Sequence, residues 1–224
     1  MREWLRLLAR DEILITEANA QGITVAETER DSLQTQARTQ QTYEQFVREN
    51  IFVPLGMRTA SLTLEDYLSN PNASAPHQRR SRNSWRVTTT NGAYYTTGPA
   101  SGINASVLDM SRWAQANLGA FPNVLPEALL TMQQTPVVET PHGNYFNRWP
   151  RLDKAWYGLG WRIFDYAGMR VIHHGGGVRG FRTELVLIPA RDLAMVVLFN
   201  AETSLANDVV PGFLDQVLAN KTEL

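Results

Sequence analysis

The sequence predicts an α+β fold, an antiparallel sheet flanked by helices, and three observations predict it. Four apolar runs between Trp161 and Phe199 are separated by short, turn-prone connections. The last run is followed at once by a helical pattern from Ser204 to Asn220. Upstream, from Thr42 to Lys154, helical patterns alternate with loops rich in Pro, Asn and Gly.

Taken in order, residues 2–10 place Trp4, Leu5, Leu7 and Leu8 among arginines, an amphipathic helical pattern that runs on toward Ile13, Leu14 and Ile15. From Glu17 to Thr42 the chain is rich in Gln, Thr, Glu and Arg, so residues 1–41 are expected to be an atypical segment, helical or partly disordered. Residues 42–224 are expected to form the domain. A helix over Thr42–Ile51 carries Tyr43, Phe46 and Val47 at helical spacing, with Thr42 as N-cap and Gln45 in capping-box position. Pro54 and Gly56 then stop it. Glu65 to Thr97 reads as a long irregular excursion with one short hairpin. Ser106 caps the next helix, with Asp109 three residues on, and Pro126 opens another that ends near Gln134. Thr135 to Lys154 reads as a loop.

The meander comes next. Trp161, Ile163 and Phe164 lead to the turn at Ala167 and Gly168, then Met169, Val171 and Ile172. The third run is Phe181 to Ile188 and the fourth Leu193 to Phe199. Because the fourth is continuously apolar from Ala194 on, it is expected to be central and covered on both faces. The final helix sets Leu205, Val209, Phe213, Val217 and Leu218 toward the sheet.

At 224 residues with 43% hydrophobic residues the chain can build a substantial core. A net charge of -1 without basic runs gives no footprint for nucleic acid. No apolar stretch approaches the roughly 20 residues of a membrane span. Met1 to Arg10 is too short and too charged for a secretory signal, so the sequence carries no address. The absence of cysteine excludes disulfides, thiolate metal sites and a cysteine nucleophile. His173 and His174, neighbours on a strand, point to opposite faces and cannot share a metal without a bulge. With only His77 and His142 besides, no metal site and no cofactor are expected.

Three pieces in a fixed order, YEQFVRENIFVPLGM (Tyr43 to Met57), SGINASVLDMSRWAQANL (Ser101 to Leu118) and YGLGW with HGGGVRGF (Tyr157 to Trp161, His174 to Phe181), carry a resemblance. Together they resemble the β-lactamase-related serine hydrolases, the class C β-lactamase, D-alanyl-D-alanine carboxypeptidase and esterase group. The resemblance implies a β-lactamase/transpeptidase-like fold, here its C-terminal part and incomplete at the N-terminus. It implies acyl transfer through a serine ester on β-lactam, D-Ala peptide or ester substrates, and relatives that are periplasmic or secreted.

Counting back from Gly180 and Phe181, His174-Gly175-Gly176 aligns with the family's Lys-Thr-Gly or His-x-Gly strand motif. The resemblance therefore assigns His174, Gly175, Gly176 and Gly177 to substrate binding and the oxyanion hole. Glycines let substrate lie against the strand, and the N–H of Gly177 is the expected oxyanion donor. Arg179 reads as a solvated loop residue within reach of an acidic substrate group. The other motifs depart from the family. The two lysines, Lys154 and Lys221, are preceded three positions back by Arg151 and Leu218, so no Ser-x-x-Lys exists in this sequence. Tyr145-Phe146-Asn147 matches Tyr-x-Asn as a string but follows the PLGM segment instead of preceding it, and so short a pattern arises often. An HGGG string also marks a lipase class, but those enzymes need a later Gly-x-Ser-x-Gly, and none follows.

No nucleophile or base is therefore identified, and two readings stand: a serine hydrolase that is inactive alone until a missing segment completes its site for a small-molecule or peptide substrate, or a non-catalytic remnant binding a ligand or partner in the old cleft. A sheet without its N-terminal strands would expose an edge for self-association unless Trp4, Leu7, Leu8 and Ile13 to Ile15 cover it.

Overall fold

The computed structural model describes residues 41–81, 84–90, 92–140 and 149–219. They form two compact units, one drawn from the stretches up to 73, 91–135 and 158–160, the other from 74–90, 136–157 and 161 onward. The expectations for residues 1–40, for Tyr145-Phe146-Asn147 and for His142 fall outside the described residues.

The first unit is helical. Helix α1 (Tyr43–Val47) runs without interruption through a π-helical segment, Arg48–Phe52, into a last turn, α2 (Val53–Leu55), closed by left-handed Gly56. The expected capping box is formed: the Thr42 hydroxyl accepts from the Gln45 N–H at 3.2 Å, and the Gln45 side chain accepts from the Thr42 N–H at 3.0 Å. Two of the orphan donors of the first turn are thereby satisfied. A short helix α3 (Leu64–Ser69), capped by Thr63, lies in what the sequence reads as irregular chain. It was illegible because its residues are all exposed or half-buried and leave no apolar stripe. After α4 (Gly98–Ser101) comes α5 (Val107–Asn117), and then α6 (Glu127–Gln133), for which Pro126 is the N-cap. Phe46, Val47, Phe52, Leu55, Met57 and Leu62 pack with Ala116, Val124 and Leu125 in one apolar cluster.

Asp109 holds the start of α5. It is 4% exposed, and its carboxylate accepts from the N–H and hydroxyl groups of both Ser106 and Thr59. Burial works to raise its pKa, but these hydrogen bonds outweigh it and hold the carboxyl below its ordinary value. The residue the sequence assigns to a cap thus also pins a loop fifty residues away in sequence.

The second unit is built on a six-stranded antiparallel sheet. A separate hairpin, β1 (His77–Ser81) with β2 (Ser84–Val87), precedes it in the chain. The sheet itself runs β3 (Val138–Glu139), β4 (Leu152–Tyr157), β5 (Arg162–Tyr166), β6 (Met169–Val178), β7 (Phe181–Ile188) and β8 (Leu193–Phe199), each paired with its neighbours in that order. The four expected runs are β5 to β8. Strands β3 and β4 correct the reading of Thr135–Lys154 as loop: Leu152, Asp153 and Lys154 already belong to β4. That strand sets exposed Asp153 and Lys154 side by side before a single buried residue, Ala155, and so has no period-2 pattern to read.

The fourth run is also corrected. Among the described residues β8 is at the end of the strand order, and all seven of its residues are half-buried, not central and fully covered. Leu193 and Met195 pack against the core. Helix α7 (Ala206–Ala219) turns most of the expected residues to the core, but its most buried positions include two the sequence reading did not name, Val210 and Leu214. Val210, Leu214 and Val217 are its buried positions, with Val209, Phe213 and Leu218 at the margin, while Leu205 is 62% exposed. They pack on Phe164, Tyr166, Val171, Val186 and Ile188. The Tyr166 hydroxyl donates to Asp215 of α7 at 3.0 Å, and burial together with that carboxylate pushes its pKa up to about 12.

Candidate functional site

The glycine strand is β6, and its two edges differ. Toward β7 it is paired continuously, from Ile172 opposite Leu187 to Val178 opposite Phe181. Toward β5 the pairing ends with His173 opposite Arg162. From His174 to Val178 one edge of β6 therefore carries no strand among the described residues, because β5 begins at Arg162. An open run of backbone donors and acceptors inside an otherwise paired sheet can bind an extended ligand as an added strand.

Glycines suit this stretch of β6 for a steric reason set by the side chains of its paired neighbour β7. A Cβ on Gly176 would lie 2.5 Å from the Thr183 hydroxyl oxygen, and one on Gly177 2.6 Å from an Arg182 guanidinium nitrogen. The Arg182 tip can swing aside, whereas the Thr183 hydroxyl sits on a short, stiff side chain. Beyond them Gly180 turns β6 into β7 with φ of +81°, and its carbonyl accepts from the His77 N–H at 3.1 Å. Its N–H donates to Glu202 at 3.0 Å, which with Gln78 keeps that carboxyl below its ordinary pKa.

The two histidines separate as strand geometry requires. His173 is wholly buried, its Nε2 2.7 Å from the Glu184 carboxylate and its ring edge-on to Trp149 and Phe164. Burial lowers its pKa despite the attraction of Glu184, so it is a neutral core residue at physiological pH. His174 is half-buried and meets Tyr157: the hydroxyl is 3.3 Å from Nε2, and the rings cross edge-on at 6.2 Å. Burial, then the charge of Arg162 and that of His173 whenever it is protonated, push its pKa down to about 4, with a hydrogen bond to the Gly175 backbone acting the other way. At neutral pH it offers a hydrogen-bonding imidazole and no cation. Arg162 stacks over the Tyr157 ring at 5.7 Å.

Of the residues named from sequence, the structure sets His174, Gly175, Gly176 and Gly177 consecutively along the open edge of β6. Sequence reasoning missed Tyr157, Arg162 and Glu184. Tyr157 entered only as part of the YGLGW piece that carries the resemblance, no local signal singles out Arg162, and nothing local links Glu184 to His173. Among the described residues no group of three or more His, Asp or Glu is placed to hold a metal ion. No described helix is long and apolar enough to cross a membrane.

The meander with a helix across it and the helical unit have a beta-lactamase/transpeptidase-like architecture. It is shared with the octameric penicillin-binding protein homologue from Pyrococcus abyssi, at a TM-score of 0.65 and 18% identity over 80% of this chain and 38% of that one. A class C beta-lactamase superposes with a TM-score of 0.64 at 16% identity, over 90% of this chain and 58% of that chain. The family model described as beta-lactamase matches residues 34–219, and the chain belongs to that family. Among curated relatives, the unguisins hydrolase ungD' of Aspergillus campestris is 29% identical over 70% of this chain and 29% of its own length. The D-aminopeptidase of Gluconobacter oxydans is 27% identical over 74% of this chain and 28% of its own length. The chain thus spans under a third of the curated relatives it matches.

Proposed function

We propose that residues 42–224 are the C-terminal part of a serine hydrolase domain whose β6 edge lines an acyl-transfer site, and that residues 1–224 do not hydrolyse substrate by themselves. The observation that carries this is the open edge from His174 to Val178. A carbonyl substrate laid along it would have Gly177 N–H as one oxyanion donor and His174 at its head as a neutral hydrogen-bond partner. Nucleophilic catalysis also needs a hydroxyl with a base within hydrogen-bond reach. No Ser-x-x-Lys is present in this sequence to supply the pair, so serine, lysine and tyrosine would come from outside it. The hydrolase and D-aminopeptidase names of the relatives support an amide, peptide or lactam substrate.

Purified chain incubated with a fluorophosphonate probe or labelled penicillin is expected to show no covalent serine adduct by intact mass. Stoichiometric labelling of one serine would sink the inactive reading and point to an unrecognised nucleophile.

The same reading supports self-association. Among the described residues β8 carries seven apolar residues at a terminal position of the strand order, with none of the lysines, prolines or bulges that protect an edge. Light scattering on the eluting chain is expected to give a dimer or larger species that Val197→Lys shifts toward monomer. A wild-type monomer at concentrations of about 100 μM, well above the micromolar Kd of a modest interface, would remove this proposal.

A further inference from the structure

We propose that Tyr157 is a positioning residue for His174: its hydroxyl donates to Nε2 and holds the ring as one neutral tautomer, protonated at Nδ1. The inference rests on reading His174 as the head of the acyl site, but it concerns a hydrogen bond that forms without substrate.

The geometry sets the roles. A neutral imidazole has one N–H and one lone pair, and a phenol keeps its proton at neutral pH. The Tyr157 oxygen lies 3.3 Å from Nε2. In the proposed pair the phenol O–H donates to the Nε2 lone pair, which places the single imidazole proton on Nδ1. The edge-on crossing of the rings at 73° fixes the imidazole plane as well. The charged and titratable groups around the pair agree. Arg162 of β5 lies over Tyr157, and His173 precedes His174 on β6; both disfavour a cation. Glu184 of β7 is engaged by His173 on the other face. β4 contributes Tyr157 itself. A tyrosine donor with an arginine behind it thus keeps uncharged the position that a lysine would make cationic.

The test is a long-range proton–nitrogen spectrum of the full chain labelled with nitrogen-15 histidine, with His174→Gln assigning the signal among the four histidines. Wild-type His174 is expected to show a single tautomer protonated at Nδ1 and to stay neutral from about pH 8 down to about pH 5. In Tyr157→Phe the tautomer protonated at Nε2 should rise several-fold, with the His173 signal unmoved as the sign of an intact sheet. Arg162→Gln should raise the His174 midpoint without changing its tautomer. An unchanged tautomer ratio in Tyr157→Phe overturns the proposal, as does a wild-type His174 that populates both tautomers or titrates near 6.5. If Tyr157→Phe also shifts His173, the wild-type spectrum alone decides. Serine labelling reports on the hydrolase reading and not on this bond, so the two can fail separately.

Discussion

Replacing Glu184 with alanine is expected to lower the unfolding free energy by about 3 kcal/mol, the scale for breaking a buried, hydrogen-bonded pair. Glu184 is 7% exposed and its carboxylate lies 2.7 Å from Nε2 of a His173 that is fully enclosed by the core. Without it that nitrogen faces apolar surroundings, with Trp149 and Phe164 already edge-on to the ring, and a side-chain void is added. The double replacement His173→Leu with Glu184→Leu should recover most of the loss, because removing both partners leaves nothing unsatisfied. Urea unfolding followed by tryptophan fluorescence measures both. A Glu184→Ala loss within about 0.5 kcal/mol, the range of an ordinary surface change, would mean the pair is not what holds His173.

Mild acid is expected to destabilise the fold before its carboxylates titrate. His173 and His174 both have folded pKa values below the unfolded value of 6.5. Their contribution is therefore fully present above pH 6.5 and is lost as pH falls, because the unfolded chain takes up protons that the folded chain refuses. For His174 the loss continues down to about pH 4. At about 1.4 kcal/mol per pH unit the two values bracket a little over 3 kcal/mol, and solvent screening at a half-exposed ring reduces this to roughly 2 kcal/mol. His173 adds to it in the same direction. Asp109, held below its ordinary value, contributes only at lower pH, as its carboxylate is protonated. Denaturation curves between about pH 7.5 and pH 5 should show stability falling with pH and a shallower fall in His174→Gln. Equal slopes in the two proteins would show that His174 titrates normally in the fold.

Elements that depend on neighbours in sequence were legible. The capping boxes at Thr42 with Gln45 and Ser106 with Asp109 are formed as read, since a cap needs only three residues of context. The runs that became β7 and β8 were readable to the residue, bounded by Pro189 and the connection at Arg191. The failures share a cause. β4 reads as loop because its apolar signal is short, and its identity comes from pairing with β5. β8 reads as central because an apolar run says that a strand is sticky without saying what lies beside it. On α7, Val209, Phe213, Val217 and Leu218 meet the core as expected, whereas Leu205 precedes the helix and is exposed.

The candidate site divides in the same way. That a histidine and three glycines stand in sequence, and that no Ser-x-x-Lys stands anywhere, follows from the order of residues alone, as does the family resemblance. Which histidine is buried with Glu184 and which meets Tyr157, and which edge of β6 stays open, was decided only when strands distant in the chain came into register. Local spacing encodes torsions, caps and periodicity, whereas partners across a sheet are chosen by the packing of the whole unit.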